Sequence, residues 1–391
     1  MALAQRKRVI LAKLEATYGS DASPAAADAV LCSNLNLSPM EGSTVERDFI
    51  RPYFGASGMI RVENYVKLDF ETEIAGAGAA GTAPEWGTLL KACNFSETIT
   101  AAAITGTAQA GGSTTTIVLA AAASAVDDFY TGMTVSITGG TGNGQSGEII
   151  GYVGSTKVAT IAKAWATGPD ATSLYSIGEN VLYTPNSNFG AAANTSASIY
   201  FNVDGVRHVL LGARGSCSFD LSAKALPKIK WTFTGLMGTI ADAALPSADF
   251  SSWQTPVTVS TANTTDINLL GYTGAVVQKL DFDIANTVTY RQLIGAESVL
   301  ITDRKPAGNV SIEAVSVATK DWWTLAKNAT YGVFSVKHGQ TAGNIVGVTA
   351  PNVQLTNPKY SDSDGVAMMD FGMAFTPKGA AGNDEIRICV K

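Results

Sequence analysis

Three carboxylates at alternate positions, Asp69, Glu71 and Glu73, are of the type that cleaves glycosides, where catalytic acids work as a pair across a sugar. They lie in an alternating segment, 65–74 (YVKLDFETEI), so they project in parallel from one strand face. That arrangement makes an acidic stripe and not the two walls of a cleft. Lining a channel, the stripe would keep a passing polyanion from sticking. His208 and His338 fall in segments that read as strands, and neither has the Cys, His or carboxylate spacing of a metal site or a nucleophilic triad. Gly140-x-Gly142-x-Gly144 has the spacing of a phosphate loop, but such a loop opens a helix, and the segment that follows, 147–153, reads as a strand. Asp362-Ser363-Asp364-Gly365 starts as a calcium loop does and has Met373 where the twelfth-position glutamate should stand. Both are read as turns. Cys32, Cys93, Cys217 and Cys389 are widely separated and form no CxxC pair, which argues against zinc and against a disulfide framework. The chain is therefore read as no enzyme, with no cofactor and no metal.

The elements around these residues are short and β-like. In 391 residues, 39 Gly and 13 Pro separate runs of Val, Ile, Thr, Phe and Tyr. Alternation is clear at 65–74, 198–203, 206–211, 216–221 and 228–233, and Asp204-Gly205 between two of these predicts a hairpin over 198–211. Hydrophobic residues make up 46% and charged residues 15%, a low charge density that suits a surface largely covered by copies of the chain. A formal net charge of -6 leaves no basic excess for gripping nucleic acid. No apolar run approaches the ~20 residues that cross a bilayer. Near the start, Lys13 and Glu15 interrupt Val9–Ala12 too soon for a signal peptide, and an amphipathic helix or an arm with Val9, Leu11 and Leu14 buried is expected.

The stretch 99–177, rich in Ala, Thr and Gly, reads as an inserted small all-β module. With it set aside, the flanks show one element order twice. A strand near 30–37 leads to an excursion at 43–62, then strand 65–74, a helix at 84–93 and paired strands to 233. A strand at 275–284 leads to an excursion at 286–306, then strand 309–317, a helix at 320–328 and strands 333–338, 344–349, 352–356 and 366–375. Each helix carries tryptophan near its start, Trp86 in one and Trp322 with Trp323 in the other. The expected organisation is mainly β: two tandem sandwich or barrel-forming domains, 1–98 with 178–240 and 264–391, joined by a linker at 241–263, with the module 99–177 on the outer surface.

Several blocks in order resemble the major tail tube proteins of siphophages: 11–19 (LAKLEATYG), Pro39-Met40-Glu41, Val45-Glu46-Arg47-Asp48, Arg51-Pro52-Tyr53, 81–86 (GTAPEW), 200–205 (YFNVDG), 212–215 (GARG) and 362–365 (DSDG). The likeness covers almost the whole chain outside the insert, and the insert, at 130–133 and 139–147, resembles a module that recurs on phage tail and fibre proteins. The resemblance implies a structural virion protein that is assembled in the host bacterial cytoplasm. Its rings close an inner β-barrel and stack through loops and the N-terminal arm into a tube for DNA ejection. Tape measure, tail terminator and distal tail proteins are its implied partners, and DNA passes without specific binding. Two copies per chain imply homotrimeric rings of pseudo-sixfold symmetry, whereas a single copy would imply hexamers. The excursions then become the candidate subunit or ring contacts, with Arg47, Asp48, Arg51, Tyr53 and Phe54 in one and Tyr290, Arg291, Asp303 and Arg304 in the other. A competing expectation is a tail fibre or adhesin subunit that stacks a host glycan on Tyr130, Tyr152 or Trp165 of the insert.

Overall fold

Strict alternation of apolar and polar residues gives a strand one dry and one wet face, and this chain uses such strands to build an extended sheet. The computed structural model describes residues 3–187 and 195–391. It is mainly β, and its α-helices among the described residues are the short Gly87–Ala92 and Trp322–Lys327. Eight antiparallel strands follow one another across a half-barrel, in the order Ser33–Glu41, Tyr65–Glu73, Lys228–Met237, Val206–Asp220, Val277–Asp283, Ala307–Glu313, Val366–Phe375 and Val346–Ser363. The first four and the last four are connected in the same way. In each quartet the first two strands are joined by an excursion, and the third and fourth form a hairpin on the far side of the second.

The quartets meet where Ser218, Phe219 and Asp220 pair with Asp283, Phe282 and Asp281. Leu221 and Ala223 continue the seam by donating their backbone N–H to Leu280 and Gln278 carbonyls at 2.8 and 2.9 Å. On the dry side of the seam the rings of Phe219 and Phe282 stack at 4.6 Å, and Phe70, Trp231 and Phe233 stack nearby. These side chains are nearly all inaccessible and form one continuous core through both quartets. Burying an aromatic side chain of this size stabilises by roughly 1.5–3 kcal/mol, so the alternation alone fixes which face turns inward.

A second layer covers that core. Its strands run Thr264–Leu269, Tyr331–His338, the first part of Val346–Ser363, Arg387–Val390, Asn180–Pro185 and Phe95–Thr100. The expected separate strands 344–349 and 352–356 are thus one long strand that bends between layers at a bulge around Asn357, whose φ is 49. Each helix is pinned by its tryptophan. Trp86 donates its indole N–H to the Ala75 carbonyl at 2.8 Å, and Trp322 packs against Phe371 and Tyr272. Asp321 caps the second helix by accepting from the Thr324 N–H at 2.9 Å.

The beginning of the chain departs from expectation. Residues Arg8–Leu14 form neither a helix nor a free arm but a strand paired with Ala197–Val203 and Ala29–Val30. The β-branched pair Val9 and Ile10 favours a strand, and the seven-residue pairing with Ala197–Val203 outweighs the weak helical spacing. The hairpin turn at Asp204-Gly205 is as expected, with both residues at positive φ, 28 and 105. The stretch 241–263 is anchored at points along its length, although about half of its residues are exposed: Ala241 and Asp242 pair with Arg207 and Val206, and Trp253 donates its indole N–H to the Ala29 carbonyl at 3.0 Å.

Six strands between Ile104 and Ile177 make a separate sheet with its own core. That core also takes in Leu182 and Cys389 from the main body. Lys391 pairs with Glu148 in a buried contact, Arg387 donates to the Asp128 carbonyl at 2.7 Å, and Asn268 donates to the Ala162 carbonyl at 2.8 Å. The module is seated on the body by its base, not tethered to it.

Candidate assembly interface

The wet face of the eight-stranded sheet holds Asp69, Glu71 and Glu73, as alternation requires. Their cross-strand neighbours change the electrostatics, because Lys230 stands opposite Glu71 and Lys228 opposite Glu73. Lys228 donates to Glu71 at 3.0 Å, and Asn34 donates to the same carboxylate oxygen at 2.8 Å. Burial by itself would raise the Glu71 pKa, but these hydrogen bonds and the charges of Lys228 and Lys230 bring it below the ordinary carboxylate value. With Lys67, Asp220 and Glu41, which pairs with Tyr65, the first quartet carries five carboxylates and three lysines on this face, and Arg214, opposite Thr234, also belongs to it. In the second quartet Asp281, Asp283, Glu313 and Asp370 face Lys279 and Lys359. The face is therefore acidic on balance and interleaved with lysine, a finer mixture than an unbroken acidic stripe.

Two outer edges of this sheet have no strand beside them among the described residues. One is Ser33–Glu41, bonded only to Tyr65–Glu73, and the other is the end of Val346–Ser363, where residues 357–363 lie beside Val366–Phe375 alone. An open edge offers unpaired backbone N–H and C=O groups to another strand. Tyr360 stands at that edge opposite the buried Met369, so it is on the dry side, yet it is 61% exposed and among the described aromatic rings touches Trp323 alone. Sequence reading passed over Tyr360. Its signal was an aromatic at a core-parity position beside a polar turn.

Both excursions are β-hairpins, and they sit in opposite circumstances. The first pairs Thr44–Glu46 with Met59–Arg61 and is exposed along nearly all its length. Arg47 and Arg51 lie over the Phe49 ring at 4.7 and 5.8 Å, and Arg51 also lies 5.8 Å from Tyr53. Asp48 is exposed beside them, and Ile50 and Phe54 are wholly in solvent. The second pairs Asn286–Leu293 with Ala296–Arg304 and folds back across the first quartet. Tyr290 stacks on Tyr65 at 4.7 Å and donates to Glu297 at 2.6 Å, and burial followed by that carboxylate pushes its phenol up to about 12. Val299 is clamped by Arg214, which donates to its carbonyl at 2.8 Å, and its N–H donates to Tyr18 at 2.6 Å. Arg291 and Asp303 remain exposed, Asp303 beside Lys305 at 3.2 Å. Arg304 differs from the others grouped with it. It is buried and donates to Glu385, Asn383 and the Asn186 carbonyl at 3.0, 3.2 and 3.0 Å, so its partners are within the chain.

The remaining chemical candidates resolve into structure. Gly140, Gly142 and Gly144 take positive φ in a turn between Thr134–Gly139 and Ser146–Val153, and Asp362 closes the turn before Val366–Phe375 by accepting from the Gly365 N–H at 3.3 Å. His338 lies between Thr264 and the Val257 carbonyl, and His208 packs edge-on to Phe201. Among the described residues no cluster of His, Cys, Asp and Glu could hold a metal ion, and no helix is long and apolar enough to cross a membrane. Tyr130, Tyr152 and Trp165 are 3, 2 and 5% exposed in the core of the inserted module, so they present no platform to a sugar. No curated protein matches the chain. The family model described as phage tail tube protein matches residues 5–373, nearly the whole length, and the chain belongs to that family.

Proposed function

We propose that this chain is the repeating subunit of a siphophage tail tube, with two tail-tube-like domains per chain that close into homotrimeric rings. The family membership supports a structural role in the virion tail; the carrying observation for the ring is the seam between the two quartets. It is a worked example, inside one chain, of the last strand of one quartet pairing with the first strand of the next. The two unpaired outer edges are the corresponding last and first strands. Repeating the seam between chains joins residues 357–363 of one subunit to Ser33–Glu41 of another, with Tyr360 in the place that Phe219 occupies at the internal seam.

Size favours three chains. Eight strands per chain give twenty-four in a trimer, and at ~4.8 Å spacing and ~40° tilt such a barrel is roughly 48 Å across at the backbone. Six chains would double this to roughly 95 Å, far wider than a single duplex needs. The lysine-interleaved acidic face then lines the bore, where a net like charge lets DNA slide without binding. Tape measure, terminator and distal tail proteins are the partners this reading implies, and assembly takes place in the host cytoplasm before ejection. Electron microscopy of the purified protein at high concentration tests it: threefold rings or tubes with an open bore are expected, and dispersed monomers at every concentration would overturn it.

A further inference from the structure

We infer that the exposed first hairpin, Thr44–Arg61, docks on the second quartet of the neighbouring chain within the same ring, as the second hairpin docks on the first quartet of its own chain. This rests on the ring reading above and adds to it a named partner surface. The two hairpins are equivalent, since each joins the first two strands of its quartet. The second crosses the preceding quartet on its wet face, near the end marked by Tyr65, Leu236 and Leu211, where Tyr290 stacks on Tyr65 and Val299 is held by Arg214 and Tyr18. The first has no such ground in its own chain, because among the described residues no quartet precedes its own.

Among the described residues neither hairpin lies over the corresponding end of the second quartet. There Ala307 pairs with Ala374 and Ala374 with Gln354, a shallow surface on the wet face. Ala307 is exposed, and Ala374 and Gln354 are half-buried. A hairpin leaving Glu41 at the edge of one chain faces this surface on the chain whose 357–363 edge it meets. The arm has the length to cross it: twelve residues from Gly42 to Tyr53 span up to roughly 40 Å when extended. Its chemistry also suits a dry contact, with Val45, Met59 and Ile60 each more than half exposed. The occupant is thus a second copy of this chain, and the contact lies around the ring and not between stacked rings.

Site-specific photo-cross-linking tests this. A benzophenone side chain replaces the exposed Ile60, and isolated rings built from mixed heavy- and light-isotope chains are irradiated. The expected product joins the hairpin peptide of one chain to a peptide within 353–376 or 305–309 of another, and an Ala374→Trp change on the receiving surface abolishes it while the monomer keeps its thermal transition. Capture of a peptide of the same chain, capture in stacked tubes but not in isolated rings, or a link unaffected by Ala374→Trp would each overturn the inference and leave the tail-tube reading intact. Failure of the unaltered chain to form any ring would remove both.

Discussion

Arg304 holds the second hairpin to its own chain and so differs from the exposed excursion residues grouped with it. Its side chain and that of Glu385 are 8 and 9% exposed, and three donated hydrogen bonds join the root of the second hairpin to residues 186, 383 and 385. Arg304→Ala leaves a buried carboxylate without its cation, which costs about 3–5 kcal/mol. Arg304 Nε and Glu385 Oε2 have no partner among the described residues, so the pair is imperfectly satisfied and the lower end, about 3 kcal/mol, is expected. With an unfolding entropy near 2.1 cal/mol/K per residue, a cooperative chain of this length loses about 4 °C of Tm for that change. Arg304→Lys keeps the charge but cannot fork to three acceptors and should lose about half as much. The exposed Arg291 is the control, with Arg291→Ala within about 0.5 kcal/mol of the parent. Calorimetry on dilute, unassembled protein measures all three. Equal and small shifts for Arg304→Ala and Arg291→Ala would refute the assignment, and so would a loss that shows only after assembly.

Four further outcomes are expected. Tyr360→Ala leaves the dilute monomer's Tm nearly unchanged but weakens each ring seam by about 2 kcal/mol, and because a closed trimer has three seams over two association steps, sedimentation reads this as a ~160-fold rise in the concentration needed for rings. Burial depresses the pKa of His338 from its ordinary 6.5, with the Val257 carbonyl opposing weakly, so the fold prefers the neutral ring. That contribution is complete above pH 6.5 and is lost as pH falls through the folded value, and His338→Gln should flatten the acid side of the stability profile. Joining Thr100 directly to Asn180, which are already cross-strand partners, removes the module without breaking the outer sheet. It also uncovers Leu182 and Cys389 and strands the Lys391 ammonium, so the shortened chain should fold with a lower Tm and still form rings by electron microscopy. Replacing Asp69, Glu71 and Glu73 together by Lys turns the wet face basic, and tubes of that variant should retain DNA at low salt and release it as salt rises.

Much of this architecture was legible because a strand with one dry face announces its parity residue by residue. The segment 65–74 could be assigned to a face from its letters alone, and Asp204-Gly205 named its own turn. What stayed hidden depends on partners far away in sequence. Nothing near Arg8–Leu14 tells it that Ala197–Val203 will offer an edge, so its local pattern suggested helix or arm. Arg304 looked like a surface arginine because Glu385 lies about eighty positions on, and Tyr130, Tyr152 and Trp165 looked like a binding platform because a small module must spend its few aromatics on its own core. The stripe at Asp69, Glu71 and Glu73 was visible, whereas the lysines that temper it sit on a strand more than 150 residues away.

The duplication is the clearest case of pattern surviving where identity does not. Helix position, strand parity and the hairpin between the first two strands recur in both quartets, yet the residues at the corresponding ends differ: Tyr65 and Leu236 in the first, Ala307 and Ala374 in the second. If both copies served identical neighbours, their receiving surfaces would be under the same packing constraint, and there would be no reason for one to be aromatic and the other nearly bare. In the proposed ring, two copies carried on one chain relax that symmetry. The contact inside the chain forms at the high local concentration set by covalent linkage and can be a permanent clamp, while the proposed contact between chains would have to form reversibly as rings assemble. A clamp built from Tyr290, Arg214 and Tyr18 on the one side and a shallow, uncommitted surface on the other is what that division of labour requires.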